Sequence, residues 1–256
     1  MTVVIGLRCS DGVVLGADSS ATFGPNLMMK TIEQAVQKVF VIEDRYIFAG
    51  TGQIGLAQRF EDVIKKAHFA NRLRGTHIDV GKEICRATIE DFASTGVSQG
   101  QFGALFAFPV HKETHLCEFA VKDLQPEWKG GKMWFCAMGS GQAITDPFLG
   151  LLRKVFFKET VPNVTEGVFV TMWALQHAIE LNPGGINGPA QIGVLTNVGT
   201  SCKARMLEDS ELQEHIANVN GAEAHLSKYK EILLGTGDTT KVDEDIPSPP
   251  DADAKV

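Results

Sequence analysis

The first eighteen residues, MTVVIGLRCSDGVVLGAD, constrain this chain more than any other stretch. Two apolar runs, 2–7 and 13–17, flank Ser10-Asp11-Gly12. Asp-Gly between β-branched runs is a strong hairpin signal. Many proteins begin with a hairpin, so the informative residue is Thr2. A small second residue permits removal of the initiator Met, which leaves a free α-amino group on a residue that also carries a hydroxyl. A Thr hydroxyl is a weak nucleophile and needs a base within hydrogen-bond reach. An α-amine titrates at about 7.7–8, close to the pH at which a general base is most useful. One terminal Thr can therefore supply both nucleophile and base. Met-Thr is equally an ordinary start followed by a β-former, so the reading needs support further along the chain.

Composition narrows the classes. With 256 residues, 44% of them hydrophobic, the chain has ample material for one large domain or two small ones. A net charge of −7 argues against a nucleic-acid partner, since such proteins are usually basic. Five scattered cysteines without a CxxC pair suit reduced thiols in a cytosolic protein. No apolar run approaches the ~20 residues of a membrane span. The N-terminus lacks the basic and apolar regions of a signal peptide. A cytoplasmic protein with no membrane partner is the expectation.

Along the chain, 19–30 reads as a loop turning at Gly24-Pro25-Asn26. Residues 38–42 and 46–49 form a second strand pair around Glu43-Asp44-Arg45. Apolar periodicity predicts helices from about 54 and over 80–93, which would form a layer on one face of a sheet. Strands follow at 103–110, 115–121 and 133–137, then helices at 142–157 and 168–181. A strand at 191–196 and a last helix at 208–234 complete the order. Grouped elements of this kind are not the alternation of a parallel βαβ fold. They predict an α+β protein, a four-layer αββα sandwich with helix pairs outside packed sheets. From 235 to 256 the composition turns acidic and Pro-rich with little apolar bulk, which reads as a disordered tail after a 1–234 domain.

Several positions carry possible chemistry. Gly50-Thr51-Gly52-Gln53-Ile54-Gly55 matches GxGxxG between a strand and a helix. Dinucleotide loops usually end a domain's first strand and need an acidic residue about twenty positions on. Neither condition holds here. The same glycine geometry suits an oxyanion hole. Lys38 opens an otherwise apolar strand; it is either a surface lysine or a buried cation that needs a carboxylate, for which Asp18 is the candidate. Ser140, between two glycines, is either a helix N-cap or an active-site hydroxyl. The seven histidines show no metal-ligand spacing, and no GxSxG elbow is present. No metal and no cofactor are expected.

Taken together, Thr2, Asp18, Lys38, Gly52 and Ser140 resemble the pattern of the proteasome β-subunit family, a family of N-terminal nucleophile hydrolases. TVVIGLRCSDGVVLGADSSAT is similar to the family's opening, QKVFVIEDRYIFAGTGQIGLAQ to its second strand pair and first helix, and AMGSGQA to its later serine motif. The resemblance spans 2–198 and is strongest in the first sixty residues. It implies that Thr2 is the nucleophile and that Lys38, oriented by Asp18, lowers the pKa values of the Thr2 groups. It further implies that the Gly52 N–H binds the oxyanion and that Ser140 bonds near the Thr2 amine. Ala21, Val36, Gly50 and Ile54 would line the pocket for the residue preceding the cut, and their small or apolar side chains fit an apolar one.

The chain departs from the family at two places. Asn182–Gly185 reads NPGG where the family has Asp-x-x-Ser, and Ser20 stands where Arg or Gln is often found. The direct Met-Thr start, without a propeptide, resembles the HslV-type peptidases, but this chain is much longer with an extra C-terminal helix, and it is most similar to the betaproteobacterial proteasome homologue. The resemblance implies a threonine endopeptidase acting on peptides or unfolded protein in a cytoplasmic homo-oligomer of stacked six- or seven-membered rings, and it admits an ATP-dependent unfoldase as partner. The alternatives are a catalytically silent ring subunit and a small-molecule amidohydrolase with the same terminal chemistry.

Overall fold

The computed structural model describes residues 2–23, 32–158, 160–182, 185–199 and 201–234. The Gly24-Pro25-Asn26 turn and the acidic 235–256 segment lie outside them. The chain divides into two compact units, Met1–His215 and Ile216–Val256.

The opening hairpin forms as its sequence predicts, with β1 (Val4–Arg8) and β2 (Gly12–Ala17) joined by a turn in which Cys9 N–H donates to Gly12 O at 2.8 Å. Its register pairs Val4 with Ala17. Continuing that register outward sets Val3 beside Asp18, so the hairpin alone delivers Asp18 to the neighbourhood of Thr2. Residues 20–23, expected as loop, instead form β3 (Ser20–Phe23), which pairs with β4 (Ile32–Ala35). Two four-residue strands give too few alternations for a period-2 signal to register.

The next pair is β5 (Val39–Ile42) and β6 (Tyr46–Gly52), turned through Glu43 and Asp44 at φ 52° and 46°. After α1 (Ile54–Phe69) and α2 (His77–Ala93) come β7 (Phe102–Val110), β8 (Glu113–Phe119) and β9 (Pro126–Lys129). Then follow β10 (Phe135–Met138), α3 (Gln142–Leu152) and a π-helical turn over Arg153–Phe157. The helix expected at 168 starts four residues earlier, as α4 (Val164–Leu181), because Asn163 and Glu166 form a reciprocal capping box. β11 (Gln191–Val198), β12 (Ser201–Met206) and α5 (Asp209–Leu233) complete the order. Strands β9 and β12 have no counterpart in the sequence reading. β12 nevertheless alternates apolar residues at Cys202, Ala204 and Met206, as a strand with one buried face should.

Two five-stranded antiparallel sheets result, ordered β10-β1-β2-β11-β12 and β5-β6-β7-β8-β9. Their facing sides bury one core that includes Val4, Leu15, Val39, Ile47, Leu105 and Leu195. Helices α1 and α2 cover the outer face of the second sheet over a Phe-rich core built on Phe48, Phe60, Phe102, Phe106 and Phe119. Helix α4 packs on β1, β2 and β11, and α3 packs on β10 and α4. The architecture is therefore the α+β, four-layer αββα sandwich. Because β6 pairs antiparallel on both sides, the GxGxxG stretch does not belong to the parallel βαβ unit that dinucleotide binding uses.

Under α2 and β9, the His115 ring stacks on His77 at 4.7 Å between centroids, with the Glu113 carboxylate 3.9 Å from its Nε2. Burial, helped by the nearby His77 and Arg8, holds the His115 pKa down at about 4. On acidification the unfolded chain takes up this proton first. The stability contributed by the neutral ring is intact above about 6.5 and is lost as pH falls toward about 4, at a cost of about 3 kcal/mol. Urea unfolding at pH 7 and pH 4.5 should show that His115→Phe removes this part of the acid sensitivity.

Candidate active site

The residues singled out in the sequence come together at one end of the two sheets. The β1–β2 register brings Asp18 to Val3, where the Val3 N–H donates to Asp18 Oδ1 at 2.9 Å. The β1–β10 register pairs Val4 with Met138, and two further steps set Ser140 beside Thr2. The Thr2 N–H donates to Ser140 Oγ at 3.0 Å, and Ser140 Oγ–H donates back to Thr2 O at 3.3 Å. Gly139 permits this approach: at φ 90°, a Cβ there would lie 2.4 Å from Thr2 O.

Lys38 arrives from the opposite sheet, immediately before β5. Its Nζ donates to Asp18 Oδ1 and Oδ2, both at 2.8 Å, and to Thr2 Oγ1 at 3.1 Å. The Asp18 side chain is 0% exposed and that of Lys38 8%. Ser20 N–H donates to Asp18 Oδ2 at 3.1 Å. Each carboxylate oxygen thus takes one backbone N–H and the ammonium, which fills the acceptor capacity of a buried carboxylate. The surface-lysine reading does not describe Lys38: it and Asp18 form one buried ion pair whose cation also touches the Thr2 hydroxyl. Ser140 bonds the Thr2 backbone and is not the cap of α3, whose N-cap is Gly141.

A cleft of ≈ 440 Å³ opens beside Thr2 and Lys38. Ala21, Val36, Gly50, Gly52 and Ile54 all line it. Gly52 has φ 110°, and a Cβ there would meet Gln101 O at 2.2 Å, so only glycine fits at the end of β6. Phe40, Ala57 and Phe102 also line the cleft and were not anticipated. The ring of Phe40 stacks on that of Phe48 at 4.7 Å, so the cleft wall continues into the aromatic core. Of the NPGG segment, Asn182 and Gly185 are described. Asn182 ends α4, and just beyond the segment Asn187 O accepts from Ser19 N–H at 3.1 Å. That stretch therefore backs onto the strand end carrying Asp18.

Among the described residues, no group of three or more His, Cys, Asp or Glu side chains is arranged to hold a metal ion. No described helix is long and apolar enough to cross a membrane. All five cysteines are unpaired, and burial raises the thiol pKa of Cys9, Cys117 and Cys136 out of the nucleophilic range.

Two packed antiparallel sheets between helix pairs, with Thr2 at the sheet end beside a buried Lys–Asp pair, fit the N-terminal nucleophile hydrolase class of fold. The proteasome subunit family model matches residues 2–187, and the chain belongs to that family. It is 25% identical over 222 residues to a proteasome subunit beta of Methanothermobacter thermautotrophicus, a match covering 86% of this chain and 96% of that one. A shorter stretch of 54 residues is 43% identical to proteasome subunit beta 1 of Thermococcus onnurineus, covering 21% of this chain and 25% of that one. A solved structure of an Anbu (Gly-1) mutant from a Hyphomicrobium species superimposes with a TM-score of 0.67 at 12% identity, over 89% of this chain and 97% of that one.

Removing one partner of a buried ion pair strands the other's charge. Lys38→Met should cost about 3–5 kcal/mol in urea unfolding. Combining it with Asp18→Asn should restore at least half of that loss, because no net charge then remains buried.

Proposed function

We propose that this chain is a threonine endopeptidase subunit in which Thr2, freed by removal of Met1, attacks the peptide carbonyl. The observation that carries this reading is the Lys38 ammonium, donating to Thr2 Oγ1 at 3.1 Å while paired with buried Asp18. A cation at that distance favours the ionised form of the hydroxyl. In the first step the α-amine takes the Oγ1 proton as Oγ1 bonds to the carbonyl carbon. The carbonyl oxygen becomes an oxyanion that the Gly52 N–H faces. The C–N bond then breaks, the leaving amine receives the proton held by the α-amine, and an ester on Thr2 remains. Water, deprotonated by the same amine, hydrolyses that ester and regenerates Thr2. Ser140, 3.0 Å from the Thr2 nitrogen, holds the amine in place.

The cleft accepts the side chain preceding the cut, and its Ala21, Val36, Phe40, Ile54 and Phe102 lining favours apolar residues. Residues 1–234 carry the peptidase, and the acidic 235–256 segment is an extension outside it. Family membership supports assembly into stacked homo-oligomeric rings of six or seven subunits in the cytoplasm of a bacterium, with peptides or unfolded protein as substrates and scope for an ATP-dependent unfoldase. Enclosure in such rings would keep these sites from cutting other cytoplasmic proteins.

Intact mass and N-terminal sequencing, before and after a peptide epoxyketone, test the assignment. The chain should begin at Thr2 and gain one inhibitor mass, and Thr2→Ala should abolish the adduct. Hydrolysis of an apolar fluorogenic peptide by Thr2→Ala should fall at least 10³-fold. Retained Met1 with no adduct would overturn the peptidase reading in favour of a structural ring subunit.

A further inference from the structure

The segment that carries Lys38 and Val36 into the site is short and irregular. It spans 36–38 between β4 and β5, and its backbone groups are not all in a strand ladder. One side chain from the other sheet organises it. Gln191, the first residue of β11, pairs across the sheet with Ala17, next to Asp18. Its Oε1 accepts from Lys38 N–H at 2.8 Å and from Val39 N–H at 3.2 Å. Its Nε2–H donates to Val36 O at 2.7 Å. Both acceptor positions of the amide oxygen and one of its two donors are thus used on three backbone groups within four residues. An aliphatic side chain offers neither kind of group, and a carboxylate offers only the acceptor.

We infer that Gln191 is a positioning residue for this site, one carboxamide setting both the reach of the Lys38 ammonium toward Thr2 and the place of the Val36 wall of the cleft. This inference rests on the peptidase reading. The two bonds to Lys38 N and Val39 N fix where the lysine side chain starts. The bond to Val36 O fixes a residue that lines the pocket from the same segment. A shift of about 1 Å at a catalytic group can cost about 10²-fold in rate. Loss of the clamp should therefore act on chemistry and on selectivity together, and the two bond sets can be separated by choice of substitution.

The test uses full-length wild type, Gln191→Leu and Gln191→Glu. Three quantities are measured: the rate of Thr2 labelling by a peptide epoxyketone, relative kcat/KM for peptides with Ala, Leu or Phe before the cut, and melting temperature. Gln191→Leu loses all three bonds. It should label about tenfold more slowly or worse, and its Leu-to-Ala preference should change by threefold or more. Gln191→Glu keeps the acceptor for Lys38 N and Val39 N but loses the donor to Val36 O. It should label within about threefold of wild type while still shifting the Leu-to-Ala preference, and it decides the matter if Gln191→Leu does not fold. Wild-type labelling and unchanged selectivity in a folded variant overturn the inference. So does a slowing that merely follows the loss of melting temperature with selectivity intact. An unlabelled, inactive wild type overturns the peptidase reading itself, and the inference with it.

Discussion

At one end of the two-sheet core, the Lys38 ammonium and the Asp18 carboxylate meet at 2.8 Å with almost no exposure to water. The two residues come from different sheets, so the contact joins the layers beside Thr2. Burying these charges costs several kcal/mol each, and only a fully saturated geometry offsets it. Asp18 reaches that geometry through Val3 N–H, Ser20 N–H and both ammonium contacts. The third direction of the ammonium is spent on Thr2 Oγ1. The position of Thr2 is therefore tied to the ion pair, and through it to the packing of the two sheets.

Around that contact the fold supplies fixed backbone. The β1–β2 register carries Asp18 to Val3, and the β1–β10 register carries Ser140 to Thr2. β-sheet pairing sets such distances with little freedom, because a one-residue slip would turn every buried side chain to the wrong face. The cleft wall is more heterogeneous. Gly52 sits at a strand end that admits no side chain, Phe40 and Phe102 extend the aromatic core into the cleft lining, and the irregular 36–38 segment is held by Gln191.

Much of the fold was legible. The hairpin at Asp11-Gly12, the two long amphipathic helices and the grouping of strands and helices all have strong local signals. Shorter elements were not. β3, β4 and β9 are four residues each, and β3 stood as loop because so short a strand gives too few alternations for a period-2 signal. The start of α4 turned on a capping box at Asn163 and Glu166, which apolar periodicity alone does not register. At the site, Thr2, Asp18, Lys38, Gly52 and Ser140 could each be picked out by residue type and by resemblance. Each was also open to an ordinary structural role when taken singly.

The sequence by itself determined the layer plan and a shortlist of reactive groups, because periodicity and turn chemistry are local properties of the chain. It could not determine that Lys38 is buried, that its ammonium reaches Asp18 and Thr2 together, or that Phe40, Phe102 and Gln191 belong to the same neighbourhood. Those facts depend on how two sheets pack face to face, which brings residues 36 and 153 positions apart into hydrogen-bond contact. No local signal encodes a contact of that range. Only the tertiary structure decides whether a lysine at a strand end faces water or a buried carboxylate, because the free energy of the charge depends on what surrounds it.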